Sequence, residues 1–357
     1  MKLFNAGARP PAGDDPRLSA ANELVRRTLA QHGLLPGADA PGPGNLPAMG
    51  GLMGHLPQTG TRTAPIPPAH PEGAVFDQDT YTCAAGTRRY RTYVPASAQA
   101  GVTGIVLMLH GCTQSPEDFA SGTGMNALAE KHRFVVVYPA QSRGDNAQSC
   151  WNWFSKGDQR RGCGEPAILA GLISQVCAEH GVDRDRTFVA GLSAGAAMAA
   201  ILGETYPDVF AAVGAHSGLP AGAARDVPSA FAAMRGSILD APVRSEHGPR
   251  VRTIIFHGTA DATVNPDNGD AIRRRALAAG PEQSIETSEH GQANGRRYTR
   301  LISSDPAGTP QVELWRIEGQ GHAWSGGSAT GTYADPKGPD ASAEMVRFFF
   351  NNSDEAS

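Results

Sequence analysis

The stretch "RTFVAGLSAGAAMAAIL", Arg186–Leu202, decides the fold. β-Branched and aromatic residues run into small ones, with Ser193 inside Gly191-Leu192-Ser193-Ala194-Gly195. The string Gly-x-Ser-x-Gly is weak alone: with 43 glycines in 357 residues, about 0.3 matches are expected by chance. Its context is stronger. Phe188-Val189-Ala190 reads as the end of a buried strand, and Ala194–Leu202, all small or apolar, as a helix packed on a sheet. Gly191 and Gly195 let strand and helix approach closely around a strained turn. Strand, sharp turn and helix are the setting a nucleophilic serine requires.

Composition sets outer bounds. The length suits one large domain plus an extension, or two small domains, and 40% hydrophobic residues can fill a sizeable core. A net charge of −4 without a basic block argues against nucleic acid and an electrostatic membrane patch. No run of 18 apolar residues marks a transmembrane helix. The N-terminus lacks the apolar core of a secretory signal and reads as cytoplasmic. Cys83, Cys112, Cys150, Cys163 and Cys177 show no CxxC spacing, so no zinc site is expected, and an odd count leaves one thiol free.

Two segments are expected. Residues 1–73 form an extension: a short amphipathic helix (Leu18, Ala21, Val25, Leu29, closed by Gly33), then a Pro/Gly-rich linker. The helix needs a surface, on its own domain or on a partner. Residues 74–357 alternate strands and helices. "RRYRTYVP", "GIVLMLHG", "FVVVYPA", "AAVGAHSG", "VRTIIFHGTAD" and "QVELWRIEG" read as strands; Ser115-Pro116, Pro166 and "SAEMVRFFF" mark helices. This predicts an α/β domain with a mostly parallel sheet covered on both faces, whose ligands bind at the strands' carboxyl ends.

A serine hydroxyl needs a base to take its proton and an acid to orient that base. Asp261, just past the strand "TIIF", is the candidate acid; Asp267 and Asp270 fit the cap and first turn of the next helix. For the base, His290 sits in "SEHGQANG", which reads as a surface loop, whereas His322 sits in "GQGHAWSGG" directly after a strand. His322 is therefore the candidate. His110 and His257, each before a glycine at a strand end, fit structural hydrogen bonds. The oxyanion hole needs two N–H donors: Ala194, after the nucleophile, and Cys112 or Thr113, after "LMLHG". Trp151, Trp153 and Trp324 lie in loops near these residues and are candidate substrate contacts. Leu219–Pro249, without strong periodicity, reads as a lid or an irregular connection.

Beyond these residues, "LHGCTQSPEDFASGTGMNALAE", "VVYPAQSRGDNAQSCWNWF", "GLSAG", "HGTADATVNPDN" and "GQGHAWSGG" together resemble the esterase family of short-chain poly(3-hydroxyalkanoate) (PHB) depolymerases, relatives of feruloyl and acetylxylan esterases. The resemblance spans about Gly73 to Asn351. It implies an α/β-hydrolase fold, nucleophile Ser193, acid Asp261, base His322 and an oxyanion donor at Cys112. It also implies a Cys112–Cys150 disulfide, although spacing alone equally allows Cys150–Cys163. An extracellular location goes with the family, against the cytoplasmic reading of the N-terminus.

The expected function is serine ester hydrolysis without cofactor or metal, on poly(3-hydroxybutyrate) or its oligomers, or on feruloyl or acetyl esters of plant polysaccharide. Secreted depolymerases carry a signal peptide and a C-terminal polymer-binding module, and neither is readable here. That departure bears on crystalline polymer; soluble oligomers and small esters are untouched by it. A granule- or polymer-binding protein on a hydrolase scaffold is the reading from another class.

Overall fold

The computed structural model describes residues 70–237, 249–278 and 284–350. The expected N-terminal helix and nearly all of the linker lie outside the described residues. Ten strands build one sheet: β1 (Val75–Cys83), β2 (Gly86–Val94), β3 (Ile105–Leu109), β4 (Val135–Pro139), β5 (Thr187–Leu192), β6 (Ala212–His216), β7 (Arg252–Gly258), β8 (Ile285–Ala293), β9 (Arg296–Ser304) and β10 (Pro310–Ile317). The spatial order is β1-β2-β4-β3-β5-β6-β7-β10-β9-β8. The six strands β4-β3-β5-β6-β7-β10 run parallel, and the antiparallel pairs β1-β2 and β9-β8 flank them.

Strand periodicity distributes the core. Ile105, Leu107 and Leu109 of β3 face one apolar layer, while Val106 and Met108 face the other. The first layer is completed by α3 (Gly164–His180), α4 (Ala194–Thr205) and α5 (Val227–Met234). The second takes α1 (Pro116–Thr123), α2 (Met125–His132) and α7 (Ala341–Phe350). With α6 (Asp267–Ala278) packed through Ile272 on Ile255 and Leu314, the sheet has helices on both faces, as in α/β-hydrolases. The caps follow the sequence: Ser115 Oγ accepts from Asp118 N at the start of α1, whose first residue is Pro116. Among the described residues no helix is long and apolar enough to cross a membrane.

Two regions differ from expectation. "SEHGQANG" is strand, not loop: β8 and β9 form a hairpin through Asn294-Gly295, both at positive φ, and His290 pairs opposite Thr299 on an exposed edge. Leu219–Pro249 is not irregular throughout. Leu219, Ala223 and Ala224 are buried, and α5 follows behind a capping box of Asp226 and Ser229. Residues 238–248 lie outside the described residues, so the lid expectation for them goes no further.

Candidate active site

Ser193 stands between β5 and α4 at φ 57°, ψ −119°, a conformation that non-glycine residues adopt only when their surroundings enforce it. Here the enforcement is close packing. A Cβ on Gly195 would collide with the Leu109 carbonyl oxygen, and one on Gly191 would lie 2.5 Å from the Gly195 carbonyl carbon. Ser193 N donates to His216 O at 2.9 Å, fixing the turn to β6. Ala194 opens α4, so its N–H has no acceptor within the helix and is available to an anion.

Asp261 follows β7 and His322 follows β10, the strand beside β7. With Ser193 after β5, all three leave the same carboxyl edge of the sheet, β6 lying between β5 and β7. The structure brings the acid and base together: His322 Nδ1 lies 2.7 Å from Asp261 Oδ2. The other carboxylate oxygen accepts from Thr263 N and Val264 N, both at 2.9 Å. Burial alone would raise the Asp261 carboxyl. The charge of His322 and hydrogen bonds from His257 and His322 outweigh burial and hold the carboxyl well below the usual carboxylate range. An ionised carboxylate at Asp261 favours a proton on Nδ1 of His322, the tautomer that a base acting through Nε2 requires.

The loop expected to supply an oxyanion donor follows β3. Thr113 N is spent on Gln148 O at 2.9 Å, so of the two expected donors Cys112 N is the one left to point at a ligand. Cys112 is bonded to Cys150; the alternative Cys150–Cys163 pairing is not formed, and Cys83, Cys163 and Cys177 are free. A buried polar network holds Cys150 from behind. Gln141 Nε2 donates to Cys150 O at 2.9 Å, Asn152 N to Glu165 Oε2 at 2.8 Å, and Arg88 sits 3.5 Å from Glu165. Burial pushes the Glu165 carboxyl up to about 7 against the opposing charge of Arg88.

The tryptophans depart from expectation. Trp151 is fully buried and its indole N–H donates to His110 O at 3.0 Å. Trp324 is 1% exposed, donates to Ser342 Oγ, and lies edge-on to Phe119. Both faces and polar tips are consumed inside the protein, so these two indoles brace loops instead of presenting a surface. Trp153 is also buried and packs edge-on against Phe154.

His110 and His257 take the structural hydrogen bonds expected of them. His110 Nε2 accepts from Gln141 N, and burial lowers its pKa to about 4. His257 Nε2 reaches Val264 O at 2.9 Å and Asp261 Oδ2 at 3.5 Å. Sequence reasoning assigned no role to His216 or Glu165. The available signal was a polar side chain inside or ending an apolar run, as His216 does in "AAVGAHSG".

The sequence model of the family described as "Esterase PHB depolymerase" matches residues 88–285. A poly(3-hydroxyalkanoate) depolymerase C from Paucimonas lemoignei is 34% identical over 68% of this chain and 58% of its own length. A probable acetylxylan esterase A from Aspergillus fumigatus is 31% identical over 52% of this chain and 53% of its own. The chain thus spans a little over half the length of these relatives. Among solved structures, an acetyl xylan esterase from Aspergillus awamori superposes with a TM-score of 0.58 at 22% identity, over 73% of this chain and 93% of that one. At that identity the likeness is one of fold.

Proposed function

This chain belongs to the esterase PHB depolymerase family, and from that premise we propose that it hydrolyses carboxylic esters through an acyl-enzyme on Ser193. Asp261 holds His322 in the tautomer that accepts a proton at Nε2. His322 takes the Ser193 proton as Oγ attacks the ester carbonyl, and the N–H groups of Ala194 and Cys112 receive the developing negative charge. His322 then protonates the departing alcohol, activates water, and the acid leaves as the serine is restored. Each oxyanion donor contributes about 3 kcal/mol to the transition state.

The observation that carries this reading is the 2.7 Å contact between His322 and a buried, doubly anchored Asp261, on the sheet edge where Ser193 occupies a strained turn. A protein that only binds polymer has no use for that arrangement. The preferred substrate class is 3-hydroxybutyrate oligomer or polymer, supported by the depolymerase relative. Acetyl esters of plant polysaccharide are the second reading, supported by the acetylxylan esterase relative. Clearing of polyhydroxybutyrate, acetate release from acetylated xylan and ferulate release separate the substrates. Turnover of p-nitrophenyl butyrate tests the chemistry: Ser193→Ala is expected to lose at least about 10⁴-fold in kcat, and equal rates overturn the assignment.

A further inference from the structure

His216 ends β6 at the centre of the sheet's carboxyl edge, in register with Leu192 on one side and Phe256 on the other. It is completely buried. Its two halves hold different parts of the site. The backbone carbonyl accepts from Ser193 N at 2.9 Å. Ring Nε2 accepts from Ser325 N at 3.0 Å, three residues past His322. The ring lies between two aromatic planes, Trp324 at 5.2 Å and Phe256 at 5.7 Å, both stacked.

A ring nitrogen that accepts from an amide carries no proton, so the His216 proton sits on Nδ1, which faces Ser217 Oγ at 3.3 Å. Burial, and then the neighbouring His257 and His322, push the His216 pKa down to about 3. The ring therefore stays neutral and the Nε2 acceptor persists across the working range of an esterase. Ser325 is itself pinned, its Oγ donating to Pro339 O at 2.7 Å. One residue thus joins the nucleophile turn to the segment that follows the base, through two hydrogen bonds that leave it at opposite ends.

We propose that His216 is a positioning residue of the esterase site, setting the distance between the Ser193 turn and the His322 loop through its carbonyl and its Nε2. This rests on the hydrolytic reading given above. It makes no contact with substrate and transfers no proton; it acts through Ser193 and His322. A misplacement of about 1 Å between nucleophile and base costs on the order of 10²-fold, while ground-state binding of the ester is left alone.

The test compares His216→Phe, His216→Asn and His216→Gln on p-nitrophenyl butyrate, with Ser193→Ala as the chemical control and Phe349→Leu as a core-destabilised control. Phenylalanine keeps the stack and removes the acceptor. Asparagine places its amide oxygen near Nδ1, short of Ser325 N; glutamine carries its oxygen to the Nε2 position. Expected are a 10- to 100-fold fall in kcat for Phe and Asn, with KM within about threefold, and recovery to within about fivefold of wild type for Gln. Phe349→Leu is expected to lower Tm with kcat unchanged, which a purely structural role for His216 would imitate. The inference is overturned if folded Phe or Asn variants keep kcat within twofold of wild type, or if Gln is no better than Asn. Should the variants not fold, the wild-type ¹⁵N histidine spectrum decides: a neutral Nδ1–H tautomer at pH 6 supports the role, and a proton on Nε2 overturns it. An inactive wild type, or an active Ser193→Ala, sinks the hydrolase reading instead.

Discussion

The two halves of the site are built from different materials. On the nucleophile side, Gly191, Ala194, Gly195, Ala196 and Ala197 bring main chain against main chain, and the decisive contacts are steric. On the acid–base side, side chains make the structure. Asp261 accepts from two backbone N–H groups and His322, Gln320 donates to Ala323 O, and Ser325 reaches both His216 and Pro339. A turn made of small residues is spoiled by adding atoms; a loop made of hydrogen bonds is spoiled by changing which atoms donate. Substitutions that leave volume constant should hurt one half, and substitutions that leave polarity constant should hurt the other.

The sharpest test is Asp261→Asn, isosteric and therefore harmless by the steric rule. The amide puts a donor where an ionised carboxylate held the Nδ1 proton, so His322 is driven to the wrong tautomer. A kcat loss of about 10⁴-fold is expected, with the fold retained, as measured by steady-state kinetics beside a thermal melt. Retention of more than a tenth of wild-type activity would mean that the acid–base half does not depend on hydrogen-bond polarity.

Gly195→Ala probes the other half. By helix propensity alone, alanine in place of glycine is favourable, by up to about 1 kcal/mol in a helix interior and less at Gly195, the second residue of α4. Here the new methyl meets the Leu109 carbonyl oxygen, which belongs to the central strand and cannot swing aside. The expected outcome has the opposite sign: a loss of about 3 kcal/mol in urea unfolding, with activity falling as the turn opens. A stabilised, active variant would break the steric account of the elbow.

The same contrast explains what could be read in the sequence. The elbow was legible because its requirements are local: a β-branched strand, two glycines flanking a serine, and a helix of small residues fall within seventeen positions. Asp261 and His322 were legible as polar residues just past apolar strands in the required chain order. Their partners were not. The bond from Ser325 to His216 spans 109 positions, and nothing in either local pattern announces it. The tryptophans misled because loop placement says little about exposure; the indole of Trp324 is committed to Ser342, eighteen residues on. The β8–β9 hairpin was misread although Asn294-Gly295 is a strong hairpin signal. β8, the polar edge strand of the pair, lacks the apolar alternation that flags a half-buried strand.

The oxyanion loop complicates the division, because it belongs to the nucleophile half yet hangs on polar groups. Arg88, Gln141 and Asn152 converge on Glu165 behind Cys150. Arg88 also pairs with Asp145 at 2.9 Å, so one buried cation serves two carboxylates, of which Asp145 is half exposed. Glu165, buried, takes up a proton more readily than in the unfolded chain, with its pKa raised from 4.5 to about 7. For an acid so raised, the folded state binds the extra proton. Its stabilising contribution is complete below about pH 4.5 and is lost as pH rises through about 7, at no more than about 1.4 kcal/mol per pH unit. Glu165→Gln removes this titration and leaves the others, including those of the buried His110 and His216, in both proteins; the difference between the two stability curves should therefore change by about 1 kcal/mol per pH unit near pH 6, the variant gaining on wild type as pH rises. Urea unfolding across that window measures it. Parallel curves would show that Arg88 keeps Glu165 ionised throughout, and the oxyanion loop would then rest on a buried ion pair in place of a proton-bearing network.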